Sequence, residues 1–115
     1  MTGKLTVSVH DDIHNQNADG IQYDLWRINN GSNRVNIKHG TITDNSNPYI
    51  LLQANTVDEL GSFEIILYIK DYFESFNEKI HVQDNRIIVA FSMNDLNQDH
   101  HLRIFIRPDR HWCTL

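Results

Sequence analysis

Apolar and polar residues alternate along most of the chain. In KLTVSVH, Leu5, Val7 and Val9 take one parity and Thr6, Ser8 and His10 the other, as in a strand with one face in a core. IQYDLWRI alternates more loosely until Asn29, Asn30 and Gly31 interrupt it, and SNRVNIKHGTIT then resumes, which predicts a hairpin. DNSNPYILLQ carries Pro48 among polar turn formers and predicts an edge or a turn into a short strand. GSFEIILYI, RIIVAFSM and HLRIFIRP complete the set. Only KDYFESFNEK reads as a helix, of about two turns with Tyr72, Phe73 and Phe76 on one side. Roughly seven or eight short strands joined by turns predict an all-β sandwich of two antiparallel sheets.

The 115 residues, 40% hydrophobic and 22% charged, suit one domain spanning 1–115 with a single core. A formal net charge of -5, with Lys and Arg scattered among acids, argues against nucleic acid as a partner. The opening MTGKLTVSVHDD has no apolar stretch of signal-peptide length, and no later run is long enough to span a bilayer. A cytoplasmic protein without membrane contact is the expectation. Cys113 is the only cysteine, so no disulfide forms within the chain, and NGS at 30–32 reads as a turn rather than a glycosylation site.

Three stretches carry a family resemblance. KLTVSVHDDIHNQNADGIQYDLWRI resembles the opening of the transthyretin and 5-hydroxyisourate hydrolase family, where L-T-x-H-V-x-D is followed by a small residue, Gly and an aliphatic; Leu5, Thr6, Val9, Asp11, Ala18, Gly20 and Ile21 fit. GSFEIILYIKDYF looks like the family's strand leading into its one short helix, through Asp71, Tyr72 and Phe73. VAFSMNDLNQDHHLRIFIRP resembles the segment ending H-Y-H-V-P-L-L-x-S-P. The likeness covers nearly the whole chain in order and spacing. It implies a transthyretin-like sandwich, a homotetramer built as a dimer of dimers, and a small-molecule site in a channel at the subunit interface.

In the family's hydrolases, two histidines, an arginine and a C-terminal Y-R-G-S line that channel and open the ring of 5-hydroxyisourate. Carried over, the second histidine of H-Y-H falls on His101, while the first-strand histidine falls on Ser8 and the arginine near Pro48. The sequence closes on DRHWCTL in place of the tetrapeptide. Ring opening needs an activated water and a cation to steady developing negative charge. Serine is no base near neutral pH without a partner that activates it, and proline offers no cation.

Parity suggests a shifted set. If Ser8 faces the channel, so does His10; likewise His101, Arg103, Phe105 and Arg107 share a face, and His100 points the other way. His10, His101 and Arg103 are the candidate catalytic residues, with Ser8, Phe105 and Trp112 as candidate substrate contacts. Trp112 would narrow the channel or stack on a flat ligand. No cofactor is implied.

Each residue has a plainer reading. His10 beside Asp11 and Asp12 fits a solvated histidine or one paired with a carboxylate, and Arg103 fits an ion pair across the strand. His14 in a loop is most simply exposed, His39 is a strand-end surface residue, and His81 and His111 have no evident partners. Cys113 would be a nucleophile only with a base such as His111, and otherwise packs at a subunit contact. No local H-x-H or H-x-x-x-H spacing supports a metal site.

Two functions fit. One is a diverged hydrolase acting on a small polar heterocycle through His101, His10 and Arg103. The other is a non-catalytic ligand-binding or assembly protein that has lost the hydrolase site. Should the tetramer fail to form, a dimer joined edge to edge through the sheets is the fallback.

Overall fold

The computed structural model describes residues 3–29, 33–43, 49–76 and 85–114. In chain order they form β1 (Gly3–Asp11), β2 (Gln16–Asn17), β3 (Ile21–Ile28), β4 (Arg34–Ile42), β5 (Tyr49–Ala54), a 3-10 turn (Val57–Glu59), β6 (Gly61–Tyr68), α1 (Lys70–Glu74), β7 (Arg86–Met93), β8 (His100–Arg107) and β9 (Arg110–Thr114). One sheet runs β2-β1-β8-β9, with β5 pairing along the same edge of β1 as β2; the other runs β4-β3-β6-β7. Pairing is antiparallel with one exception, since β1 and β8 run parallel in register from Leu5↔His100 to Asp11↔Ile106. This is a sandwich of two sheets with one short helix, as the alternation implied. The two-residue β2 gave no signal of its own.

Period two decides which side chains are buried. On β1, Leu5, Val7 and Val9 are buried, while Thr6, Ser8 and His10 are half-buried on the other face. On β8, Leu102, Ile104 and Ile106 are buried and His101, Arg103, Phe105 and Arg107 face outward. The inner faces meet Tyr23, Leu25, Phe63, Ile65 and Leu67 from the second sheet in one apolar core. A fully buried Leu, Ile or Phe side chain is worth roughly 1.5–3 kcal/mol, so shifting either strand by one residue, which would exchange its two faces, is strongly disfavoured.

The second sheet departs from simple alternation at its edge. On β4 the apolar Val35 and Ile37 are exposed and Ile42 is buried, and the register against β3 shifts between Leu25 and Trp26. The Asn36 side-chain amide donates to the Leu25 carbonyl at this shift.

The family-like residues of the first loop have structural reasons. The Ala18 amide donates to the Val9 carbonyl and the Gly20 amide to the Ile42 carbonyl, tying the turn to both sheets. Gly20 has φ +85°, a left-handed conformation that favours glycine. Ala18 and Ile21 are buried on either side of it.

The helix is shorter than its pattern. α1 is five residues long and buries Tyr72 and Phe73, with Phe76 packed against the core just beyond it. Residues 77–79, the rest of the expected two turns, lie outside the described residues, as do Asn30, Gly31, Pro48 and His81. No helix among the described residues is long and apolar enough to cross a membrane.

Candidate active site

The parallel register brings three side chains of the first sheet's outer face together. Thr6 stands opposite His101, and Ser8 opposite Arg103. The His101 ring bridges two hydroxyls, with Nδ1 2.6 Å from Thr6 Oγ1 and Nε2 3.0 Å from Ser8 Oγ. Thr6 also donates its hydroxyl, at 3.4 Å, to the carbonyl of His100. A hydroxyl has one proton, and with that proton on the carbonyl Thr6 Oγ1 accepts from Nδ1–H, the tautomer taken here. Nε2 then carries the lone pair, and Ser8 donates to it.

The electrostatics favour the same state. Burial, and then the positive charge of Arg103, hold the His101 pKa below its ordinary value. The imidazole is therefore neutral at neutral pH and available to take a proton. Arg103 is exposed and has no ion-pair partner among the described residues. The expected cross-strand ion pair is thus absent there, and the guanidinium stays free to face an anion.

The other candidates on this face form a second group. His10 stands opposite Phe105 on the neighbouring strand, its ring 5.9 Å from the Phe105 ring and edge-on to it. Its Nε2 lies 3.9 Å from Asp12 Oδ1, a loose contact with a carboxylate. Four residues separate the Thr6 and His10 positions of β1, or about 13 Å at 3.3 Å per residue. His10 and His101 therefore share a face without sharing a site. Trp112 of β9, 40% exposed, stands opposite Phe105 and stacks on it with ring centres 5.6 Å apart and planes 11° from parallel. The Arg110 guanidinium lies 5.9 Å from the Trp112 ring. The face thus runs from a hydroxyl–imidazole cluster past Arg103 to an aromatic platform.

Thr6 was absent from the candidate set. Its signal was present, since it shares parity with Ser8 two residues away, but only the register with β8 turns that into a contact with His101. His14 needs a correction. Far from simply exposed, its Nδ1 lies 2.6 Å from the buried Asp11 carboxylate and its ring stacks on Phe76 at 3.9 Å. Asp11 is buried at the end of β1 and draws the loop histidine in. His39 is exposed on β4. Cys113 is exposed and pairs opposite Ile104, on the other parity from Trp112.

The described residues hold no cluster of three His, Cys, Asp or Glu side chains able to bind a metal ion. A cavity of about 460 Å³ lies elsewhere, lined by Leu25, Arg27, Ile37, Lys38, Ile50 and Phe63 among others. Its cations are already engaged: Lys38 donates to the carbonyls of Ile50 and Leu51, and Arg27 to those of Glu59 and Leu60. Size favours that cavity and chemistry favours the outer face. Proton-transfer groups decide the matter, because reactions need them at the reacting atom.

Comparison with known proteins agrees with this architecture. No family model matches the chain. A 5-hydroxyisourate hydrolase of Halalkalibacterium halodurans is 29% identical over 111 residues, which cover 94% of this chain and 92% of that protein. Among solved structures, (S)-allantoin synthase superposes with a TM-score of 0.81 at 18% identity, over 98% of this chain and 43% of its own. This chain therefore spans less than half of that larger protein. Sea bream transthyretin, crystallised in complex with thyroxine, gives a TM-score of 0.73 at 15% identity over 96% of this chain and 92% of its own. The sandwich, its single short helix and a hydrolase relative aligned along nearly the full length agree with one another, and the chain has the transthyretin-like sandwich fold.

Proposed function

We propose that the outer face of β1 and β8 is a hydrolytic site that opens a cyclic amide in a small, carbonyl-rich heterocycle, 5-hydroxyisourate or a close chemical relative. The observation that carries this reading is His101, a neutral imidazole with Nε2 3.0 Å from Ser8 Oγ and its other nitrogen held by Thr6. His101 is the general base, and Arg103 steadies the negative charge that develops on the attacked carbonyl oxygen. Ser8 holds the reacting end of the imidazole, and His10, Phe105 and Trp112 form the wall against which a flat ring packs. On one chain this face is an open sheet surface. A second copy laid across it, within a homotetramer, would close it into a channel and exclude bulk water. The hydrolase relative supports the choice of substrate.

The test is the decay of freshly generated 5-hydroxyisourate, followed optically with the purified protein and with His101→Ala. Acceleration by the wild type and none by the variant, with the oligomer unchanged in sedimentation, is the expected outcome. Equal decay with and without protein rejects the reading.

One observation favours a second reading, a binding protein without catalysis. The Phe105–Trp112 stack presents an exposed aromatic surface with Arg110 beside it, and a flat anionic ligand would stack there without reaching His101. Saturable binding of such a ligand with no product formed would support this alternative.

A further inference from the structure

Ser8, at the place where the family resemblance expects a first-strand histidine, puts a hydroxyl on the lone-pair nitrogen of His101. Nδ1 is held from behind by Thr6 at 2.6 Å, and Thr6 is oriented by the carbonyl of His100. The sequence of contacts, hydroxyl to Nε2 and Nδ1 to a fixed acceptor, is the arrangement by which a neutral histidine activates an alcohol. Arg103 stands directly opposite Ser8 in the register and has no ion-pair partner among the described residues. A cation thus neighbours the point where an oxyanion would form. Ser8 and His101 are only half-buried, so a small molecule can approach from solvent.

We propose that Ser8 is a nucleophile, activated by His101, that accepts the acyl group of a strained cyclic amide or of an activated ester. The proposal rests on the hydrolytic reading above and replaces its attacking water, in the first step, by the serine hydroxyl.

The chemistry balances with water as the only co-reactant. Ser8 Oγ bonds to the carbonyl carbon as its proton passes to His101 Nε2, and the carbonyl electron pair moves onto oxygen beside Arg103. That pair returns as the bond to the leaving nitrogen or oxygen breaks, and the leaving atom takes the proton from Nε2. Water then attacks the acyl carbon, giving a proton to Nε2. The bond to Oγ breaks, Oγ recovers the proton, and a carboxylic acid departs and releases its own proton to solvent. Thr6 is a positioning residue: it keeps the proton on Nδ1 throughout. It is also a hydroxyl where a carboxylate would better stabilise the transient imidazolium, so turnover should be modest.

The experiment is labelling of the whole protein with a fluorophosphonate, and acylation by p-nitrophenyl acetate, read by intact mass and peptide mapping. Ring-opening assays of 5-hydroxyisourate run in parallel. The expected result is one adduct, on the peptide carrying Ser8, absent in Ser8→Ala and formed about 100-fold or more slowly in His101→Asn. Thr6→Val should slow labelling and Thr6→Ser should restore it. An unlabelled Ser8 in the wild-type protein overturns the nucleophile. If the wild type and Ser8→Ala then open 5-hydroxyisourate equally fast, the hydrolytic reading stands with water as attacker. If neither accelerates it, that reading falls separately.

Discussion

Tyr72 donates its hydroxyl, at 2.7 Å, to the carboxylate of Asp11, which is fully buried and lies 61 residues away in sequence. The same carboxylate accepts the backbone amides of Ile13 and His14 and faces His14 Nδ1. One acid thereby fixes the end of β1, the loop after it and the helix.

Burial pushes the Asp11 pKa up, but the hydrogen bonds from Tyr72, His14 and Ile13 outweigh it and hold the group below its ordinary value. A lowered pKa in the folded state means stability that is present above the ordinary carboxylate value and lost as pH falls through the folded one. Tyr72→Phe should cost about 2 kcal/mol at neutral pH, and its acid unfolding should begin at a higher pH than in the wild type. Urea titrations across the acid range measure both.

His101 titrates in the same sense by a different cause. Burial and Arg103 disfavour its charged form, so folding stability falls as pH drops from the ordinary histidine value through the lowered one. Arg103→Gln removes the second cause and should raise the midpoint of the His101 ring resonances in an NMR titration. An unchanged midpoint would mean that the guanidinium does not act on the ring.

Gly20 tests the turn that sets the entry into β3. A Cβ there would meet nothing within 4 Å, so the barrier to substitution is conformational rather than steric crowding by neighbours. With φ at +85°, Gly20→Ala should destabilise the protein by about 1–2 kcal/mol in thermal or urea unfolding. A neutral effect would show that the turn relaxes.

The aromatic platform gives a further test. Phe105→Ala removes the partner of Trp112 and should cost about 1 kcal/mol of stability, while weakening any flat ligand bound on the outer face. Equilibrium dialysis of such a ligand against the wild type and Phe105→Ala measures the second effect.

The strands, the two faces of each and the membership of the outer face were legible in the sequence, because period two is local: His101, Arg103 and Phe105 take alternate positions of one run, and Ser8 and His10 of another. The alignment of one run with the other was not. It is set by the packing of two strands separated by most of the chain, and it puts Thr6 rather than His10 beside His101. The fate of His14 was hidden for a similar reason, since its place depends on a buried carboxylate and on Phe76 beyond the helix. The family frame had marked Thr6, Asp11 and Tyr72 as expected residues without saying what they touch.

The parallel pairing of β1 with β8 also governs when the molecule becomes competent. Ser8 and His101 are 93 residues apart, and β1 has β8 as the neighbour along the edge opposite β2 and β5. A chain emerging from the ribosome presents Thr6 and Ser8 well before the imidazole they clasp, with that edge of β1 unpaired until β8 has been made. Until then the exposed edge invites pairing with other chains, and closing so distant a contact is slow. Any activity of this face therefore waits for β8 to pair with β1, and its onset during refolding would time that pairing.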